Sequence, residues 1–150
     1  MPEKKTIKRA REAEAGGKSP STQAGAFVRQ EIKHIREGKH GARSTRQAIA
    51  IGLSKARRAG VKLPPPGRGT VSQETRRKAE REYERTQLGG RKQTSRKRSR
   101  ATTRALRREG RAAASTKALS RQARSAAHRR SRTSKSQAVR KAARTRAKNS

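Results

Sequence analysis

From residue 85 to residue 150 the chain carries 23 Lys and Arg against a single acid, Glu109. No fold of so short a segment can pair that charge internally, so it stays in solvent or meets a polyanion. The whole chain has 27% hydrophobic and 1% aromatic residues and a net charge of +34. Such a composition cannot bury enough apolar surface along its full length to offset conformational entropy. The expected fold class is all-α: a small αα-hairpin head and an exposed helix, followed by a largely disordered Arg/Ala-rich C-terminal tail over 89–150.

Residues 1–84 hold the other 21 basic residues and nine acids, a balance that permits folding. Residues 3–15, "EKKTIKRAREAEA", are good helix formers without an apolar stripe, and the expectation for 1–18 is a frayed helix. In "SPSTQAGAFVRQEIKHIREG" (19–38), Ser19 suits an N-cap, Pro20 the first helical position and Gly38 the C-terminus. Ala24, Phe27, Val28, Ile32 and Ile35 recur at helical spacing. Glu31 falls inside that face, either at its edge reaching water or paired with an Arg of the next helix.

In "STRQAIAIGLSKARRAG" (44–60), Ser44 and Gln47 form a capping box and Gly60 sits where a left-handed residue ends a helix. Ala48, Gly52 and Ala56, with Ile49, Leu53 and Ala59, fall in one arc of about 140°. A mid-helix Gly costs about 1 kcal/mol relative to Ala, so Gly52 on the buried face implies close helix approach. Helices 20–37 and 45–59 are expected to pack antiparallel, with Phe27 and Ile35 near Gly52. The hairpin head spans 19–63 and is marginally stable alone. Ile51 points away from the arc and suits a homodimer contact or a third helix.

"PPPGRGTV" (64–71) reads as a stiff linker. Residues 72–88 read as an exposed charged helix capped by Ser72, supported by Glu74–Lys78 and Lys78–Glu82 pairs, with only Ala79 and Tyr83 turned toward a core. Beyond Gly89-Gly90 the tail is biased in composition without a fixed repeat.

Chemistry is scarce. The chain contains no Asp and no Cys, which excludes disulfides and thiolate sites. His34, His40 and His128 are scattered, with no carboxylate cluster beside them, so neither catalytic nor metal-binding residues are expected, and no cofactor or small-molecule substrate. "GKHGARST" (38–45) fails the spacing of a phosphate-binding loop, although its Gly and basic residues suit one phosphate oxygen. No apolar run is long enough for a membrane span, and the N-terminus lacks a secretory h-region, which points to an intracellular, cytoplasmic protein.

What remains is phosphate recognition, for which the planar guanidinium fork is well shaped. The candidate nucleic-acid-binding residues are Arg91, Lys92, Arg96, Lys97, Arg98 and Arg100 in "RKQTSRKRSR", Arg104, Arg107 and Arg108 in "RALRREGR", and Arg129, Arg130 and Arg132 in "HRRSR". In the head, Arg43, Arg46 and Arg57 share a polar edge with Arg58 nearby, but the interhelix link is long for a helix-turn-helix. Phe27 and Tyr83 are the only aromatics, which disfavours base stacking and favours backbone contact with duplex DNA. An RNA- or ribosome-associated protein, or a protein-interaction head on a basic tether, remain the alternatives.

Residues 19–67, "SPSTQAGAFVRQEIKHIREGKHGARSTRQAIAIGLSKARRAGVKLPPPG", are very similar to a family of small basic bacterial proteins of uncharacterised domain type, often labelled plasmid stabilisation proteins. The similarity continues more loosely through "ETRRKAEREYE" and "RALRREGRAAASTKALSRQARSAA". It implies a bacterial cytoplasmic or nucleoid-associated protein and agrees with DNA binding. The tail resembles histone H1-like proteins in composition.

Overall fold

Among the described residues, five of six α-helices open on a serine, a residue whose hydroxyl readily satisfies an orphaned backbone N–H at a helix start. In the computed structural model, which describes residues 2–89 and 95–148 (the backbone alone at 130–136, 138, 141, 142, 145, 146 and 148), the helices are α1 (Lys4–Ala15), α2 (Pro20–Arg36), α3 (Thr45–Arg58), α4 (Gln73–Gln87), α5 (Arg96–Arg107) and α6 (Thr116–Lys148). Ser19, Ser44, Ser72, Ser95 and Ser115 each accept from a backbone N–H three residues on. Among the described residues there is no strand, and the chain is all-α. It divides into two units, Met1–Ala114 and Ser115–Ser150.

The first unit is built on the expected antiparallel pair, α2 against α3. Ala48, Gly52 and Ala56 are all buried on the facing stripe of α3. A Cβ on Gly52 would lie 2.7 Å from the Cα of Val28, so the two backbones are closer than any side chain allows. The facing residue is therefore Val28; Phe27 and Ile35, expected beside Gly52, fall into two separate apolar clusters. The reason is helical phase, since Phe27 and Ile35 lie more than two turns apart and a single close crossing has one neighbour.

The first cluster gathers Phe27 and Ala24 of α2, Ala56 of α3, Ala10 of α1, and Val61 and Leu63 of the return segment. The N-terminal helix is thus packed rather than frayed. Thr6 and Ala10 are buried and Ile7 is partly so, a narrow stripe of small side chains that lets α1 lie close to α2. The second cluster joins Ile35, Ala42 and Ala48 to Ala113 and Ala114.

Those two alanines belong to a segment that composition assigns to the tail. Gly41 N donates to the Leu106 carbonyl at 2.8 Å and Ala42 N to the Gly110 carbonyl at 3.1 Å. Thr45 Oγ1 donates to the Ala113 carbonyl at 2.6 Å, and Arg36 Nε to the Ala114 carbonyl at 2.8 Å. A Cβ at Gly41 would stand 2.0 Å from the Glu109 carbonyl oxygen. The break in composition at residue 89 and the structural boundary at Ser115 therefore differ, because 106–114 docks through backbone carbonyls, which composition does not register.

Helix α4 lies on α3. Ser54 Oγ donates to Glu82 Oε1 at 2.8 Å, Arg58 Nη2 reaches the same oxygen at 3.4 Å, and Thr86 Oγ1 donates to the Arg57 carbonyl at 2.9 Å. Ala79 is buried and Tyr83 half-buried. Ile51, on the same stripe of α3 as Ser54 and Arg58, is half-buried. The Glu74–Lys78 pair is present at 2.6 Å, whereas Glu82 turns to α3 instead of Lys78.

The second unit is the single helix α6, about 50 Å long at 1.5 Å per residue. None of its described side chains is buried, so it has no core of its own, in keeping with the composition that led to the expectation of an open tail. Among the described residues, no helix is long and apolar enough to cross a membrane.

Candidate nucleic-acid interface

Helix α5 concentrates the exposed charge. At 100° per residue, Arg96, Lys97, Arg100, Arg104 and Arg107 fall within an arc of about 100°, and Arg98 stands apart. All six are exposed. Ser95 caps the helix, and its last turn is held to the 38–45 loop by Gly41 N, which donates to the Leu106 carbonyl. No acid lies in Arg96–Arg107, and among the described residues none of these cations has an ion pair or side-chain hydrogen bond. Arg108, just past the helix, is exposed as well. The result is a row of free guanidinium and ammonium groups about 18 Å long, a spacing scale that spans several phosphates of a duplex strand.

The head's candidates divide. Arg43 and Arg46 are exposed. Arg58 is exposed but engaged with Glu82 and Ser54. Arg57 is 6% exposed and corrects the expectation of a shared polar edge. Its Nε donates to the Leu63 carbonyl at 3.1 Å and its Nη2 to the Pro64 carbonyl at 3.2 Å. Among the described residues, no other N–H reaches these carbonyls of the proline-rich return segment, and Arg57 closes the loop by filling them. Burial pushes its guanidinium below its usual value, while Glu82 acts in the opposite direction.

In and just after the loop 38–45, several backbone N–H groups are already engaged within the fold. The N–H groups of Gly41 and Ala42 are taken by the docked segment, that of Arg43 by Gln47 Oε1 at 2.7 Å and that of Gln47 by Ser44 Oγ at 3.1 Å. The capping box is as expected, save that Gln47 reaches Arg43 N rather than Ser44 N.

In the second unit Arg129 is exposed, as are Lys117, Arg121, Arg124, Arg140 and Arg144. Lys117, Arg121 and Arg124 share one side of α6, whereas Arg129, Arg140 and Arg144 point elsewhere around it. Arg91 and Lys92 lie outside the described residues, as do the side chains of Arg130 and Arg132. Phe27 is fully buried and Tyr83 half-buried, so no aromatic offers an open stacking face.

One constellation was invisible as a linear pattern. Glu31 is 0% exposed, and neither edge of the expectation for it holds in full: it reaches no water, and its partner is a lysine. Lys55 Nζ meets Glu31 Oε2 at 2.5 Å, and His40 Nε2 lies 2.9 Å from Oε1. His34 stacks edge-on against His40 with centroids 6.2 Å apart, and its Nε2 is 3.1 Å from Glu3 Oε1. That contact holds the Glu3 carboxyl below its usual range. The available signal was Glu31-x-x-His34, an i,i+3 pair on one helix face, with His40 brought back by the turn at Gly38.

Residues 17–66 match the model of a family of unknown function, DUF6496. The matched span covers α2, α3 and the return segment through Pro66, including Glu31, His34, His40 and Lys55, and leaves α1, α4, α5 and α6 outside it. No curated protein and no solved structure matches the chain.

Proposed function

We propose that this chain is a non-enzymatic, largely sequence-independent DNA-binding protein that acts by neutralising phosphates, of the nucleoid or plasmid-maintenance type. The observation that carries this reading is the row of five unpaired cations on α5, on a helix with no acid and no buried residue. A face of that kind takes no part in the packing, and its uncompensated charge attracts polyanions. The exposed Arg43 and Arg46 and the cations of α6 extend the supply.

The buried Phe27 and half-buried Tyr83 favour backbone contact over base stacking, and hence duplex DNA over single strands. Direct base readout by the hairpin is disfavoured because Arg57 is consumed internally. Fluorescence anisotropy of the full chain with duplex DNA and with structured RNA, over 50–200 mM salt, tests the reading. Engagement of 6–10 phosphates weakens duplex binding by about 10³–10⁵-fold across that range, with little dependence on base sequence. Preference for RNA transfers the role to an RNA- or ribosome-associated protein. Binding to neither leaves the head as a protein-interaction module.

A further inference from the structure

We propose that Glu31, His34 and His40 form a binding site for a divalent transition-metal ion of the zinc type. One ligand atom from each lies within 4.8 Å of the other two. Two imidazoles and one carboxylate are the donor set of an open, N/O-ligated Zn²⁺ site. The side chains are 1%, 13% and 11% exposed for Glu31, His34 and His40, enclosed enough to hold an ion and open enough to admit one.

The hydrogen bonds around His40 point to a cation at this place. Its Nδ1 lies 3.0 Å from the Gly41 carbonyl oxygen. A carbonyl only accepts, so Nδ1 carries the proton. Nε2 is the nitrogen left to face Glu31 Oε1, at 2.9 Å. That oxygen is buried and receives no other hydrogen bond. Two such atoms this close need a positive centre, which is a proton on Nε2 in the metal-free site and the ion itself once a metal displaces that proton. A backbone carbonyl on Nδ1–H with Nε2 aimed at an ion is also the usual second-shell arrangement of metal-binding histidines.

Glu31 is prepared for one role only. Lys55 Nζ holds Oε2 at 2.5 Å, which leaves Oε1 as a single donor and orients it. Glu3, against His34 at 3.1 Å, places a second carboxylate at the rim. Metal–ligand distances of about 2.0–2.1 Å put the donors of a tetrahedral ion about 3.3 Å apart, so the widest gap closes by about 1.5 Å through side-chain rotation. The bound ion ties α2 to the 38–45 loop, on which residues 106–114 dock, and so stiffens that part of the head.

Calorimetric titration of the full chain with ZnCl₂, without nucleic acid, tests this. A single saturable site at one ion per chain is expected, with a rise in thermal midpoint. Imidazole ¹H–¹⁵N spectra of the unaltered protein should move at His34 and His40 and stay fixed at His128. His34→Gln and His40→Gln each weaken binding by more than about tenfold, while His128→Gln leaves it unchanged. Absence of saturable binding, resonance shifts confined to His128, or binding indifferent to both head substitutions overturns the proposal. The imidazole spectra need no variant, so they decide the matter even if a substitution unfolds the head.

Discussion

Arg57 and the arginines of α5 are the same residue type put to opposite uses. Arg57 is buried, and its fork is spent on the carbonyls of Leu63 and Pro64. Arg96, Arg100, Arg104 and Arg107 stand exposed on a helix that contains no acid. What separates them is the local supply of acceptors. Residues 1–84 have nine acids and a proline-rich segment whose carbonyls accept from Arg57; α5 has neither. Charge count alone therefore overstates the interface in the head and understates the packing there, because a cation beside spare carbonyls becomes part of the fold.

The sharpest way to break that contrast is to remove Arg57. Arg57→Ala removes the donor to two carbonyls and should cost about 1.5–3 kcal/mol, the range for hydrogen bonds to a charged group, read as a lower urea midpoint. The salt dependence of duplex binding should not change. A change in that dependence with stability intact would return Arg57 to the interface.

Gly41→Val probes how α5 is held. Its added atoms meet the Glu109 carbonyl, so the 106–114 segment has to move. Overpacking of this kind costs about 1–3 kcal/mol, and hydrogen exchange should rise at Gly41, Ala42 and the start of α3 while Val61 and Leu63 stay protected. Uniform loss of protection across both apolar clusters would show that the two are not separable.

Arg58→Gln tests the intermediate case, an exposed pair with Glu82. The loss should stay below about 1 kcal/mol. Smallest of all is Glu74, held below its usual carboxylate value by the Lys78 ammonium. A depressed carboxylate stabilises the fold above its unfolded value, and that contribution disappears as pH falls below 4.5 through the lower folded value. The first turn of α4 should fray slightly under acid, visible in its Cα chemical shifts, with α2 and α3 unaffected.

Much of the head was legible from residues 19–60. The serine caps, the glycine at 60 and the Ala48–Gly52–Ala56 stripe are local signals, and each corresponds to an observed contact or end. The docking of α1 was hidden because its buried positions are Thr6 and Ala10, too small and too polar to register as an apolar stripe. The 106–114 segment was hidden for a different reason: it binds through carbonyls, and alanines in an arginine-rich tract look like helix filler. The polar cluster escaped because Glu31, inside the apolar face of α2, and His34 show no link to His40 in the linear sequence until the turn at Gly38 folds His40 back beside them. The α5 row was legible as charge, though its one-sided arrangement depends on where Ser95 starts the helix.

The central claim is that α5 presents free cations to phosphates. It is tested most directly by the slope of log affinity for duplex DNA against log salt, measured for the full chain and for the Arg96→Gln, Arg100→Gln, Arg104→Gln, Arg107→Gln variant. With four phosphate contacts removed, the slope should become shallower by about 3–4, at about 0.9 per contact, and the unfolding midpoint should stay where it was. An unchanged slope, with the variant folded, would contradict the account.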